Sequence, residues 1–156
     1  MKKGFITYPS GPSRNWSLTE VIHPHAEYGT NPDPELMKPA IDDTRFGSIT
    51  IEGERIEHDV YITLEGKVKK RKKKLSKAIY GTSHTISRDE IKHVYQGGSE
   101  GLIVGCGQYG VAELSDEAAE FLQEKECRVV IRPTPEAVEE WNRTEGRWIG
   151  LFHITC

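Results

Sequence analysis

Several groups of residues in this sequence have types and spacings that could do chemistry. Gly105-Cys-Gly-Gln-Tyr-Gly110 satisfies G-x-G-x-x-G after an apolar run. That pattern binds a dinucleotide when a helix opens within it and aims free amides at the pyrophosphate. Here the strongest helix cap, Ser115, comes five residues after Gly110, and the next strand ends on Arg132 where an acid would hold the ribose. The pattern therefore reads as a tight loop rather than a cofactor site, and no cofactor is expected. Crevices in α/β sheets open at strand carboxyl ends, so the loop is still the best pocket candidate. Gly105, Gly107, Gln108, Tyr109 and Gly110 are its candidate ligand contacts. Cys106 adds a thiol, which needs a nearby base or positive charge to become a nucleophile. His84, in Gly81-Thr-Ser-His84, is the candidate base. The alternative for His84, a polar group tying a loop to backbone, is preferred.

The strongest electrostatic feature is the run 67–77 (KVKKRKKKLSK), with eight Lys or Arg and no acid. The net charge is −3, so the rest of the chain carries −11. One basic stripe on an acidic background presents itself to an anionic partner without attracting polyanions everywhere. Lys69, Lys70, Arg71, Lys72, Lys73 and Lys74 are the candidate partner-binding residues. The run holds no aromatic residue to stack on bases, which favours an acidic protein surface over nucleic acid. The bland alternative is a solvated connection whose lysine stems lie along the sheet.

Metal binding has less support. His23 and His25 lie two apart, but no second closely spaced pair accompanies them. His153 reads as a satisfied strand histidine, and Cys127 as a small buried hydrophobe. Three cysteines without a CxxC indicate neither a disulfide framework nor a zinc knuckle.

The elements that must position these groups follow from pattern. Residues 1–40 hold six of the eight prolines, which exclude long ladders and helices. With Phe5, Ile6, Tyr8, Trp16 and Tyr28, they read as an extended arm packing on the domain or on a partner, with a possible helical turn over Ser17–Ile22. Phe46–Ile51 and Ile56–Thr63 alternate with period two and flank Glu52-Gly53-Glu54-Arg55, the signature of a hairpin. Ser87-Arg-Asp-Glu90 matches a capping box, opening a helix that stops at Gly97-Gly98. Strands follow at Gly101–Gly105, Cys127–Ile131 and Trp148–Thr155. They alternate with a helix capped by Ser115 and another opened by Thr134 as cap and Pro135 as first residue. Strands covered on both faces by helices give the expected fold: a three-layer α/β sandwich with a mixed central sheet and an antiparallel hairpin at one edge. The expected organisation is an arm (1–40) and a single α/β domain (41–156).

With 156 residues, a core can form without a staple. No apolar run reaches the roughly 18–20 residues of a membrane helix. The Lys2-Lys3 start leads into Thr7, Pro9, Ser10 and Gly11 rather than an apolar h-region. A soluble, cytoplasmic protein without membrane association is expected.

Several phrases taken together resemble a known family. They are Asp43-Thr-Arg-Phe-Gly-Ser48, Glu57-His-Asp-Val-Tyr61, Gly81-Thr-Ser-His84, Gly107-Gln-Tyr-Gly110, Pro133-Thr-Pro-Glu136 and Gly150-Leu-Phe-His-Ile-Thr-Cys156. They are similar to a widespread domain-of-unknown-function family of archaea, bacteria and mitochondria. Its members include a mitochondrial complex I assembly factor and an adipogenesis-associated cytosolic protein. The resemblance spans about residues 41–156. It implies a compact three-layer α/β domain and no established reaction, and it implies that the Cys106 position more often holds threonine. The assembly role of one relative favours a partner-binding reading. The expected function is thus a non-catalytic binding or assembly module for a protein partner. A small-molecule binder or enzyme using the 105–110 loop with His84 is the alternative, and nucleic-acid binding through 67–77 is a second.

Overall fold

The computed structural model describes residues 6–7 and 38–156. Its central sheet has six strands in the order β1-β10-β8-β11-β5-β6. These are β1 (Ile6–Thr7), β5 (Val60–Ile62), β6 (Val68–Lys70), β8 (Gly101–Cys106), β10 (Arg128–Arg132) and β11 (Trp148–His153). β1, β10, β8 and β11 run parallel. β5 and β6 add an antiparallel hairpin at one edge. A second sheet, β2 (Ile41–Arg45), β3 (Ser48–Ile51) and β4 (Glu54–Ile56), is antiparallel. β7 (Thr85–Ile86) and β9 (Glu113–Leu114) form a short parallel pair. The helices are α1 (Lys74–Tyr80), α2 (Arg88–Val94), α3 (Asp116–Glu124) and α4 (Thr134–Arg143).

Alternation along β8 and β11 divides the core into two layers of side chains. Leu102, Val104, Ile149 and Leu151 face one way and pack with Ile91 and Val94 of α2 and with Ala118, Phe121 and Leu122 of α3. Ile103 and Phe152 face the other way and pack with Ala137, Val138 and Trp141 of α4 and Ile49 and Ile51 of the small sheet. Every residue of β8 and β11 is buried, as expected for parallel strands covered on both faces. The three-layer sandwich with a mixed sheet is therefore the fold.

The hairpin is the main local difference. The Glu52-Gly53 turn forms between β3 and β4, but the segment read as one strand from Ile56 to Thr63 is two. It breaks at Glu57-His58-Asp59, because the buried Asp59 carboxylate takes the Ile154 amide at 2.8 Å. β4 then stays in the small sheet while β5 joins β11, and the hairpin at the central sheet's edge is β5–β6 instead.

Two helix starts also differ in detail. Ser87 caps α2 by accepting from the Glu90 amide, but the Glu90 side chain does not reach back to Ser87. The Ser87 amide donates to Ser76 Oγ at 2.9 Å, and the Glu90 carboxylate is drawn to Arg71. Thr134 is the first residue of α4 rather than its cap. Its hydroxyl accepts from the Gly107 amide and donates to the His153 carbonyl, joining α4 to β8 and β11. The helical turn read at Ser17–Ile22 and the histidine pair His23 and His25 lie outside the described residues.

Candidate functional site

The basic run is built around one residue that is not on the surface. Arg71 follows β6 and turns inward until its side chain is 1% exposed. Its Nε donates to Glu90 Oε2 at 2.5 Å and its Nη2 to Glu90 Oε1 at 3.0 Å, a bidentate pair. Nη1 donates to Asp59 Oδ2 at 2.9 Å and Nη2 to the Ser83 carbonyl at 2.9 Å. Ser76 of α1 donates to Glu90 as well. One guanidinium thus joins the end of β6 to the residue before β5, to α2 and to the loop before β7, and Glu90 extends the cluster to α1. Arg71 must therefore be removed from the expected surface stripe: its delocalised fork is the group that can satisfy two buried carboxylates at once.

Asp59 links this cluster to β11. Its Oδ2 lies 2.8 Å from His153 Nδ1 and its Oδ1 accepts from the Ile154 amide. Burial alone would raise the Asp59 carboxyl. The His153 hydrogen bond and charge, the Ile154 amide and Arg71 outweigh burial and hold it at about 2. An ionised Asp59 can only accept, so His153 Nδ1 carries the proton in the bond between them. Nε2 then faces Thr155 Oγ1 at 3.2 Å. Burial likewise opposes the charge of Arg71, but Glu90 and Asp59 raise its pKa above the usual arginine value.

The lysines around Arg71 point outward. Lys69 and Lys70 are exposed on the edge strand β6; Lys72 and Lys73 follow, and Lys74 opens α1, all exposed. None of these five pairs with a carboxylate among the described residues. These lysines are solvated, but the run that bears them is ordered. It is strand, turn and helix, pinned from below by Arg71.

The glycine loop turns its amides inward. Gly107 has φ +106°, and a Cβ there would collide with the Cys156 carbonyl, so only glycine suits the position. The Gln108 amide donates to the Thr155 carbonyl at 2.6 Å and the Tyr109 amide to the Cys156 carbonyl at 2.9 Å. The Gly107 amide is taken by Thr134 Oγ1, and Gln108 Nε2 donates to Thr44 Oγ1 at 3.1 Å. Amides that a phosphate would need are thus already partnered, and Gly105 lies within β8. Of the loop's candidate contacts, Tyr109 and Gly110, with Cys106, line a cleft of about 880 Å³.

The cleft opens beyond the carboxyl ends of β8 and β10 and reaches the end of α1 and the start of α3. His84 is not among its lining residues. The His84 ring packs edge-on against His153, centroids 5.4 Å apart, while its backbone ties β7 to β9 by accepting from the Glu113 amide. Burial, followed by the charge of Glu136, raises the Cys106 thiol pKa, the reverse of what a nucleophilic cysteine requires. Cys127 is fully buried, and burial pushes its thiol up to about 11.

Sequence reasoning missed Asp59 and Glu90 and placed Arg71 on the wrong side of the surface. Two signals were present: one arginine amid lysines, and an acid (Asp59) immediately before an apolar strand. Glu90 was masked by its fit to the capping box.

The profile of the protein family of unknown function DUF498/DUF598 matches residues 41–154. The conserved hypothetical protein PH1505 from Pyrococcus horikoshii OT3 is 31% identical, with a TM-score of 0.71 over 77% of this chain and 100% of that one. The solved structure named MT938 is 28% identical, with a TM-score of 0.66 over 76% of this chain and 100% of that one. A Bordetella pertussis protein described as a Mth938-like domain shares the fold at 16% identity and a TM-score of 0.52, over 81% of this chain and 90% of its own. A family match over most of the chain, with a solved relative at 31% identity, shows that this chain belongs to the DUF498/DUF598 family.

Proposed function

We propose that this chain is a binding module that holds an acidic protein partner through the edge formed by Lys69, Lys70, Lys72, Lys73 and Lys74. The observation that carries the reading is the inward turn of Arg71, which makes a rigid scaffold of the segment bearing these lysines. Cations held at fixed spacing lose less side-chain and backbone freedom on binding than cations on a mobile loop. They also steer an anionic partner into register. The Cys106–His84 alternative has less support, since burial raises the Cys106 thiol and His84 does not line the cleft.

The experiment is a titration of the purified chain with polyglutamate at low and moderate salt, alongside a variant with the five lysines changed to glutamine. Binding that weakens with salt and disappears in the variant supports the reading. Equal binding by both proteins, or none by either, overturns it. A DNA duplex that binds more tightly than polyglutamate would replace the protein partner with nucleic acid.

A further inference from the structure

A second surface, of opposite sign, lies at the other end of α1. The large apolar side chains exposed among the described residues are Phe46, Ile79, Tyr80, Tyr109 and Val111. Three of them, Phe46, Tyr80 and Tyr109, gather at one cleft. Tyr80 and Tyr109 line the 880 Å³ cleft, Val111 sits between the lining residues Gly110 and Ala112, and Ile79 precedes Tyr80 on α1. Phe46, on the turn between β2 and β3, packs on Tyr109 with ring centroids 6.1 Å apart. The bond from Gln108 to Thr44 of β2 ties the loop after β8 to the strand that leads into this turn. Tyr109, 76% exposed, and Phe46, 58% exposed, thus form an aromatic pair that is organised by the protein yet open to water. Clustered exposure of this kind marks an interaction surface, whereas isolated apolar residues do not.

Within the cleft, Ala112, Leu114, Ile131 and Pro133 provide apolar wall, and the carboxylates of Glu113, Asp116, Glu117 and Glu136 stand around it. Tyr80 donates its hydroxyl to Glu117 at 3.2 Å. The cation in the lining is Arg132, whose Nη2 faces Glu140 at 3.3 Å. Carboxylates beside aromatic rings recognise an ammonium or guanidinium group, the acids by charge and the rings by their negative faces. The apolar surface continues outside the cleft to Phe46, which packs on Tyr109, so an occupant needs apolar groups beside its cation. The loop amides are already used by Thr155 and Cys156, so recognition at this face falls to side chains.

We propose that the cleft is the docking groove for a basic peptide segment of a partner protein, one in which lysine or arginine alternates with apolar residues. Its cation meets Glu117 and Glu136, and its apolar side chains cover Tyr109, Phe46 and Val111. This inference does not depend on the lysine edge: the two surfaces take partners of opposite charge, and the domain can join them.

The test is fluorescence anisotropy with a labelled short peptide alternating arginine and leucine. Control peptides replace arginine by glutamate, or leucine by serine. The proteins are the wild type, Tyr109→Ser and Glu117→Gln/Glu136→Gln; all the altered residues are exposed, and each variant is first checked for an unchanged melting temperature. The arginine–leucine peptide should bind best, and each variant should weaken it by about tenfold or more. The five-lysine variant should bind it at least as tightly as the wild type does, which separates this site from the lysine edge. Equal binding of the glutamate or serine peptide overturns the proposal, as does full affinity in both cleft variants. Self-association that depends on the five lysines and blocks the peptide also overturns it, by making a second copy of this chain the occupant.

Discussion

Replacing Arg71 with methionine tests the scaffold most severely. Methionine fills much of the space but leaves Asp59 and Glu90 buried without the guanidinium they share, with side chains 3% and 0% exposed. Breaking a buried ion pair from one side costs about 3–5 kcal/mol, because the remaining charge stays desolvated. Set against a typical total of about 5–15 kcal/mol, this should lower the melting temperature by roughly 10–20 °C. The loss should also depend on pH in a defined direction. In the wild type, the depressed Asp59 pKa of about 2 contributes stability that is present above the unfolded carboxyl value and is lost as pH falls from about 4 towards 2. In the variant, Asp59 loses the Arg71 charge that helps hold its pKa down, so acid relieves part of the defect. Urea denaturation at pH 7 and pH 4 should therefore show a large difference between the proteins that narrows in acid. Adding Glu90→Gln to Arg71→Met should recover part of the loss at pH 7, as a coupled pair requires. A destabilisation below about 1 kcal/mol at pH 7, or one that widens in acid, would refute the reasoning.

Other outcomes follow from the same geometry. Asp59→Asn keeps the shape but removes the charge facing Arg71 and His153, and should lower stability by on the order of 2 kcal/mol at pH 7 and by little at pH 2, read by denaturation at both. Gly107→Ala places a Cβ against Cys156 at φ +106°; a cost of at least about 1–3 kcal/mol in thermal melting is expected. Alkylation with iodoacetamide, followed by mass spectrometry, should modify the half-exposed Cys156 first at pH 7. Cys106, its pKa raised by burial and Glu136, should follow more slowly, and Cys127, at about 11 and fully buried, only on unfolding.

The parallel core was legible because its signals are local. Apolar runs of strand length at Gly101–Cys106 and Trp148–His153, separated by capped helices, leave few arrangements other than a sheet covered on both faces. Ser87 and Ser115 could be read as caps because a cap acts within one turn. What the sequence hid depends on residues far apart in the chain. Arg71 and Glu90 are 19 positions apart, and Asp59 and His153 are 94 apart. No periodicity connects them, so Arg71 looked like one more cation and Ile56–Thr63 like one strand. The glycine loop was legible as a turn, but not as one closed by the Thr155 and Cys156 carbonyls. Cleft and aromatic pair were equally hidden, since Phe46 and Tyr109 meet only through the packing of β2–β3 against the loop after β8.

Amide chemical-shift mapping of the isotope-labelled protein against an unlabelled glutamate-rich peptide tests the central claim most directly. The account predicts saturable shifts concentrated in residues 67–77, shrinking with added salt, while the 105–117 segment stays still. Shifts centred on 105–117, or none that saturate, would contradict it.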